Sequence, residues 1–146
     1  MPYDTARPML AVGDAGLSPV AWHWSWDRYG APQVQHRFEE TAPPRRMNGA
    51  DWAAWVAMKI VAQAAMRSDP ADPQAMRDYV MGPEFRVDGS KGVPMSFRRW
   101  NGQLRQPILL ATPEAVIAEA PLEPFLHRTD DLDTLGVDEP EAECGR

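Results

Sequence analysis

Residues 51–67, DWAAWVAMKIVAQAAMR, constrain what this chain can fold into more than any other stretch. Rich in Ala and Met and without Pro or Gly, they predict a helix from Asp51 to Arg67. Its apolar positions include Trp52, Trp55, Val56, Ile60, Ala64 and Met66, and only Lys59 and Gln63 interrupt them. Most of the circumference is therefore apolar. A helix with so small a polar face packs against more than one neighbour. This one carries more apolar surface than the rest of the chain offers to cover it, which points to part of a larger fold.

The totals set bounds around that helix. At 146 residues the chain is one domain at most, and a chain this size buries about 68–70% of its unfolded surface. With 44% hydrophobic and 25% charged residues it is ordinary globular material rather than a disordered or fibrous sequence. Its 15 prolines require several extended or turn-rich segments. A formal net charge of −6 argues against a nucleic-acid partner, which calls for a basic footprint. The single cysteine, Cys144, excludes an internal disulfide and any CxxC site.

Around the long helix, Met9-Leu10-Ala11-Val12 is a short apolar run closed by Gly13 and Gly16, as for a buried strand entering a loop. Ser18-Pro19 supplies an N-cap and a first-turn proline, and Gly30 a stop. With Trp22, Trp26 and Tyr29 at i, i+4 and i+7, a helix over residues 19–29 is predicted. Residues 31–48, with Pro32, Pro43 and Pro44, read as an irregular connector. Asp72-Pro73 opens a shorter helix that Gly82-Pro83 ends, with Met76, Tyr79 and Val80 facing inward. Thereafter the period changes. Residues 94–98 alternate, Asn101-Gly102 is the favoured type I′ hairpin dipeptide, and Gln103 to Leu110 forms the return strand. Pro113 breaks that strand and residues 115–118 pair again. Residues 121–146, proline-bearing and acidic, form a tail laid over a surface, which divides the chain into a body over 1–120 and a tail over 121–146. The mixed order predicts an α/β or α+β chain.

The residues that could carry chemistry are few. His23, His36 and His127 have no zinc spacing, no GxSxG elbow is present, and Cys144 is poorly placed as a nucleophile. Asp130, Asp131 and Asp133 fail the EF-hand register because Leu135 takes the fifth position, and a solvated tail is expected. Gly13-Asp14-Ala15-Gly16 lacks both the GxGxxG and the Walker pattern. It reads as a tight strand-to-helix turn, or as a ligand loop at the carboxyl end of a strand, where the following helix N-terminus favours an anion. Trp22, Trp26, Trp52 and Trp55 sit at core spacing, while Trp24 and Trp100 are less constrained. Arg45-Arg46 read as solvated connector charges, with carboxylate recognition as the functional alternative. No catalytic constellation and no cofactor motif emerges, so binding rather than catalysis is expected.

Residues 1–20 contain no basic region followed by a long apolar one, which by itself predicts no signal peptide, and no window reaches a membrane span. Four blocks bear on this further: Gly16-Leu17-Ser18-Pro19-Val20-Ala21-Trp22-His23-Trp24; Asp51-Trp52-Ala53-Ala54-Trp55; residues 96–110, SFRRWNGQLRQPILL; and Phe125-Leu126-His127 with Leu132-Asp133-Thr134-Leu135-Gly136. Through them the chain resembles the substrate-binding proteins of ABC transporters associated with quinoprotein (PQQ-dependent) alcohol dehydrogenase systems. These are relatives of the branched-chain amino-acid-binding proteins. Nearly all of this chain is covered, but only the C-terminal part of such a protein.

The resemblance implies the C-terminal portion of a type I periplasmic binding protein, an α/β two-lobed fold with a late β-hairpin and an extended acidic tail. It implies a periplasmic, non-catalytic solute-binding component with no cofactor of its own. Its partners would be a small-molecule solute, a transporter permease and the missing N-terminal part of the binding protein. With a genuine start at Met1 the location would instead be cytoplasmic. The loop Gly13, Asp14, Ala15 and Gly16 would face the cleft, and Trp52 would approach it. Ala15 falls where amino-acid-binding relatives carry the acid that accepts the ligand ammonium, which argues against an α-amino acid. A quinone tricarboxylate or an alcohol-derived acid fits better, met by Arg45, Arg46 and a tryptophan. Cys144 would pair with a cysteine upstream. The competing expectation is a standalone interaction or regulatory module that dimerises through its apolar helix surface.

Overall fold

The computed structural model describes residues 16–142. The strand expected at Met9–Val12, the loop residues Gly13, Asp14 and Ala15, and Cys144 lie outside the described residues.

The chain is mixed helix and sheet. Strand β1 (Ser18–Val20) is followed by helices α1 (Ala31–Thr41), α2 (Gly49–Arg67) and α3 (Pro73–Val80). Strands β2 (Ser96–Phe97), β3 (Leu104–Arg105), β4 (Ile108–Ala111) and β5 (Val116–Ala120) come next, and two short 3-10 turns at Asp131–Leu135 and Glu139–Glu141 complete the order. The pairing is antiparallel throughout: β4 lies between β1 and β5, and β2 pairs with β3.

Helix α2 forms where its composition predicts, and its start is fixed chemically. The Asn48 side chain accepts from the N–H groups of Ala50 and Asp51, while the Asp51 carboxylate accepts from Asn48 N–H at 3.1 Å, a complete capping box. Helix α3 begins with Asp72 capping Gln74 N–H at 2.9 Å. Tyr79 of α3 meets α2 through a 3.0 Å hydrogen bond from Gln63.

The expected helix over 19–29 is not formed. Pro19 instead sits in β1 opposite Leu110, an edge position where a missing N–H leaves no ladder bond unmade. The aromatic spacing that mimicked a helical face comes from a loop pinned by its indoles. Trp26 donates to Ser90 O at 3.0 Å and Trp22 to Gln35 Oε1 at 3.3 Å, while Tyr29 is exposed at φ 52°. The helix lies one segment later, in the expected connector. Gly30 is its N-cap at φ 79° and Pro32 falls in the first turn, where no intrahelical N–H is needed. Ala31, Val34 and Phe38 then face the core.

The hairpin forms, but with a wider turn than the expected two-residue one. Arg98 to Gln103 make the loop, closed by Arg98 N–H to Gln103 O and Gly102 N–H to Arg98 O, each 2.8 Å. Gly102 has φ 71° whereas Asn101 does not have positive φ, so the type I′ geometry, which demands it at both residues, is absent. Pro107 divides the predicted return strand, leaving β3 to pair with β2 and β4 to pair with β1 and β5.

The core gathers Trp22, Trp26, Trp52, Val56, Phe85, Val87, Met95 and Leu109. Trp22 and Trp52 stack with centroids 6.4 Å apart, and Phe85 meets Tyr79 edge-on. Only part of α2 is used for this. Met58, Val61 and Met66 remain 67%, 50% and 77% exposed, with Ala50, Ala54, Ala57 and Ala62 also exposed. Among the described residues the apolar excess of α2 is thus left facing outward. No helix there is long and apolar enough to cross a membrane.

Candidate functional site

Of the residues expected at a ligand cleft, Gly16 and Trp52 are described. Gly16 is exposed with φ 80°, a left-handed position suited to glycine, and nothing lies within 4 Å of where a Cβ would be. Trp52 is only 1% exposed. Its indole donates to Gly89 O at 2.9 Å, and the Lys91 ammonium lies 3.9 Å from its ring centroid. Trp52 thus belongs to the core. Arg45 pairs with Asp51 at 3.0 Å and stacks over Phe38, and Arg46 stacks on Trp24 at 3.7 Å. Neither arginine is merely solvated. Among the described residues no group of three His, Cys, Asp or Glu side chains could hold a metal ion.

A cleft of about 660 Å³ lies beneath the hairpin. Phe97, Arg99, Trp100 and Arg105 reach it from the hairpin, Arg86 from the segment after α3, and Asp130 and Glu139 from the tail. Trp100 is fixed by donating to Val137 O at 2.9 Å, and the Arg105 guanidinium lies 5.1 Å from its ring centroid. Arg86 is spent on the carbonyls of Pro83 and Phe85, each 2.7 Å away. Arg99 is exposed and makes no hydrogen bond or ion pair with any described residue. Arg99 and Trp100 both line this cleft, and a guanidinium has the fork of donors that meets a carboxylate bidentately. Ser96, the one hydroxyl in the lining, accepts from Arg105 at 3.3 Å with no histidine beside it to act as base.

Behind the cleft is a buried ion triad. Asp133 receives Arg98 Nε at 2.8 Å, Arg105 Nε at 2.7 Å and Arg105 Nη2 at 3.0 Å. Arg98 also donates to Gln103 Oε1 and Leu132 O. Burial alone would raise the Asp133 carboxyl, but hydrogen bonds and charge from Arg105 and Arg98 outweigh it and hold the group below its usual range. The expected solvated tail is therefore corrected at this residue: Asp133 and Leu132 are buried, whereas Asp131 is exposed. An acid run in sequence gives no sign of which acid meets two arginines.

A second cluster lies on the other side of the tail. Lys91 is 1% exposed and donates to Gln106 Oε1 at 2.8 Å and Pro107 O at 2.9 Å. Desolvation lowers its pKa to about 7 against an opposing pull from Glu119. Glu119, on β5, has its carboxyl raised by desolvation despite Lys91 and Arg28. Lys91, Glu119 and Arg99 were all passed over in the sequence; only Arg99, inside the FRRW block, carried a local signal.

No family model, no curated protein and no solved structure matches this chain.

Proposed function

We propose that this chain is the C-terminal part of a type I periplasmic binding protein, the solute-binding component of an ABC transporter linked to quinoprotein alcohol oxidation. It holds a small organic ligand without converting it and delivers it to a membrane permease from the periplasm. The reading rests on the sequence resemblance, and one structural observation supports it. One specific block of that resemblance, residues 96–110, contributes Arg99 and Trp100 to the wall of the cleft of about 660 Å³, where Arg99 is unpaired. Guanidinium and indole together favour a flat carboxylate, such as a quinone tricarboxylate or an acid derived from an alcohol. The rest of the binding protein packs on the outer face of α2, against Met58, Val61 and Met66, which this chain leaves open.

Titration with pyrroloquinoline quinone and with short alcohol-derived acids, followed by tryptophan fluorescence, tests the ligand. A saturable change that weakens about tenfold in Arg99→Ala is expected for the loss of a charged hydrogen bond. No saturable change with any of them overturns the reading.

The same open face of α2 favours one other reading, a standalone interaction module that dimerises through it. Light scattering separates the two. A concentration-dependent dimer disrupted by Val61→Glu supports the module, and a monomer at all concentrations removes it.

A further inference from the structure

The charges of the hairpin cleft can be balanced against one another. Arg86, Arg99 and Arg105 bring three guanidiniums to its lining, and Asp130 and Glu139 bring two carboxylates. Behind them Arg98 and Asp133 cancel. Arg99 also borders an adjoining hollow of about 390 Å³, but the other charges there, Arg77 and Asp78, are opposite in sign. One positive charge is left in excess. A single carboxylate balances it, whereas a tricarboxylate brings repulsion from Asp130 and Glu139 along with it.

The hydrogen-bonding groups narrow the class further. Asp130 lies 3.6 Å from Arg105 and caps Leu132 N–H at 3.0 Å. Ser96 Oγ accepts from Arg105, and the Trp100 N–H is taken by Val137 O. Two charged side chains of the lining, Arg99 and Glu139, have no hydrogen bond or ion pair to any described residue. Both are exposed, so a solute reaches them without any part of the fold opening. A guanidinium offers only donors and a carboxylate only acceptors. A molecule that answers both carries a carboxylate and, elsewhere on its skeleton, a donor. That donor is a hydroxyl: an ammonium would cancel the ligand's own charge and leave the excess unmet. Met81, Pro83, Phe97 and Trp100 give the skeleton an apolar bed.

We propose that the hairpin cleft selects small hydroxy monocarboxylic acids, with Arg99 taking the carboxylate and Glu139 accepting from the hydroxyl. This rests on the reading that the cleft holds an acid ligand. Of the two acids named there, it favours the one derived from an alcohol over the tricarboxylate.

Isothermal titration calorimetry of the whole chain with 4-hydroxybutyrate and 6-hydroxyhexanoate tests it, beside butyrate, hexanoate and pyrroloquinoline quinone. The hydroxy acids should bind saturably and about tenfold tighter than their parent acids, as for one hydrogen bond to a charged group. The quinone should bind more weakly than either hydroxy acid. Glu139→Ala, at an exposed position, should erase the advantage of the hydroxyl. Arg99→Ala should weaken hydroxy and parent acids alike. Failure of every acid to saturate, the quinone included, overturns the reading of the cleft and this inference with it. Equal affinity for hydroxy and parent acids, an advantage that survives Glu139→Ala, or tighter binding of the quinone overturns the inference alone.

Discussion

The carboxylate of Asp133 lies 2.8 Å from Nε of Arg98, and both side chains are almost wholly buried. A buried pair of this kind contributes little relative to an apolar substitute, but losing one partner is severe because the other charge stays behind without compensation. Asp133→Ala, which strands Arg98 and leaves Arg105 only the more distant Asp130 carboxylate at 3.6 Å, should lower stability by about 3–5 kcal/mol. Urea unfolding of the two proteins measures it. A loss below about 1 kcal/mol would place the triad in solvent rather than in the core.

The same group sets an acid limit. Asp133 holds a folded pKa below the ordinary carboxylate value of 3.8, so the unfolded chain binds a proton first as pH falls. Its contribution is complete above the unfolded pKa and disappears as pH drops through the lower folded value. Asp133→Asn should therefore flatten the stability profile below about pH 4. Thermal melts between pH 2 and 5 in steps of roughly half a unit would show this; parallel profiles for both proteins would refute it.

Lys91 acts at the alkaline end with the opposite ionisation. Its folded pKa of about 7 lies under the ordinary lysine value of 10.5, so between those values the unfolded chain binds the proton that the folded chain has lost. Stability should rise with pH across that window, with a limiting slope of about 1.4 kcal/mol per unit. Glu119 pulls the other way at lower pH, since its raised pKa lets stability fall as pH climbs above 4.5 through the folded value. Lys91→Met should abolish the alkaline rise, as read from denaturant midpoints at pH 7, 8 and 9. A rise that persists in the variant would assign it to another group.

Gly92 at φ 82° faces the Tyr29 ring. Gly92→Ala combines a left-handed backbone cost with a contact that Tyr29 must vacate, and about 1–3 kcal/mol should be lost. Adding Tyr29→Ala should recover the contact part and leave the backbone part. A double-mutant cycle by thermal unfolding gives the coupling, and strict additivity would mean that the ring and the glycine do not meet.

The outer face of α2 should tolerate charge within this chain. Met58→Lys, at a position 67% exposed, should change the stability of the isolated chain by no more than about 0.5 kcal/mol. Calorimetric melting of the isolated chain checks this. A larger loss would show that the face is covered by the chain itself.

What could be read from the sequence followed locality. Helix α2 was legible as Asp51 to Arg67 from its composition, with the Asn48 cap that starts it at Gly49 lying in the expected connector. Helix α3 carries its start in adjacent residues, Asp72 with Pro73, and was legible. The residues 19–41 were not. Trp22 and Trp26 match a helical period, yet their indole donors are satisfied at Gln35 and Ser90, partners that no local pattern announces. Pro32 looked like a breaker because a proline in the first turn and one in a loop differ only in the helix that follows. At the candidate sites the same limit applies. Arg99 and Trp100 stand in a recognisable block, while Lys91 and Glu119 are brought near one another only by the packing of β5.

The triad also orders events on the ribosome. Arg98 and Asp133 are 35 positions apart, so the hairpin emerges well before the carboxylate that pairs with its Arg98 and Arg105. Until Asp130 to Gly136 clear the exit tunnel, the guanidiniums of Arg98 and Arg105 must stay hydrated and the hairpin cannot close over them. The segment Asp130 to Gly136 is thus the one that lets the hairpin made before it bury itself. A nascent chain arrested ahead of Asp130 should leave residues 96–105 open to protease, and one arrested long enough to release Gly136 should protect them.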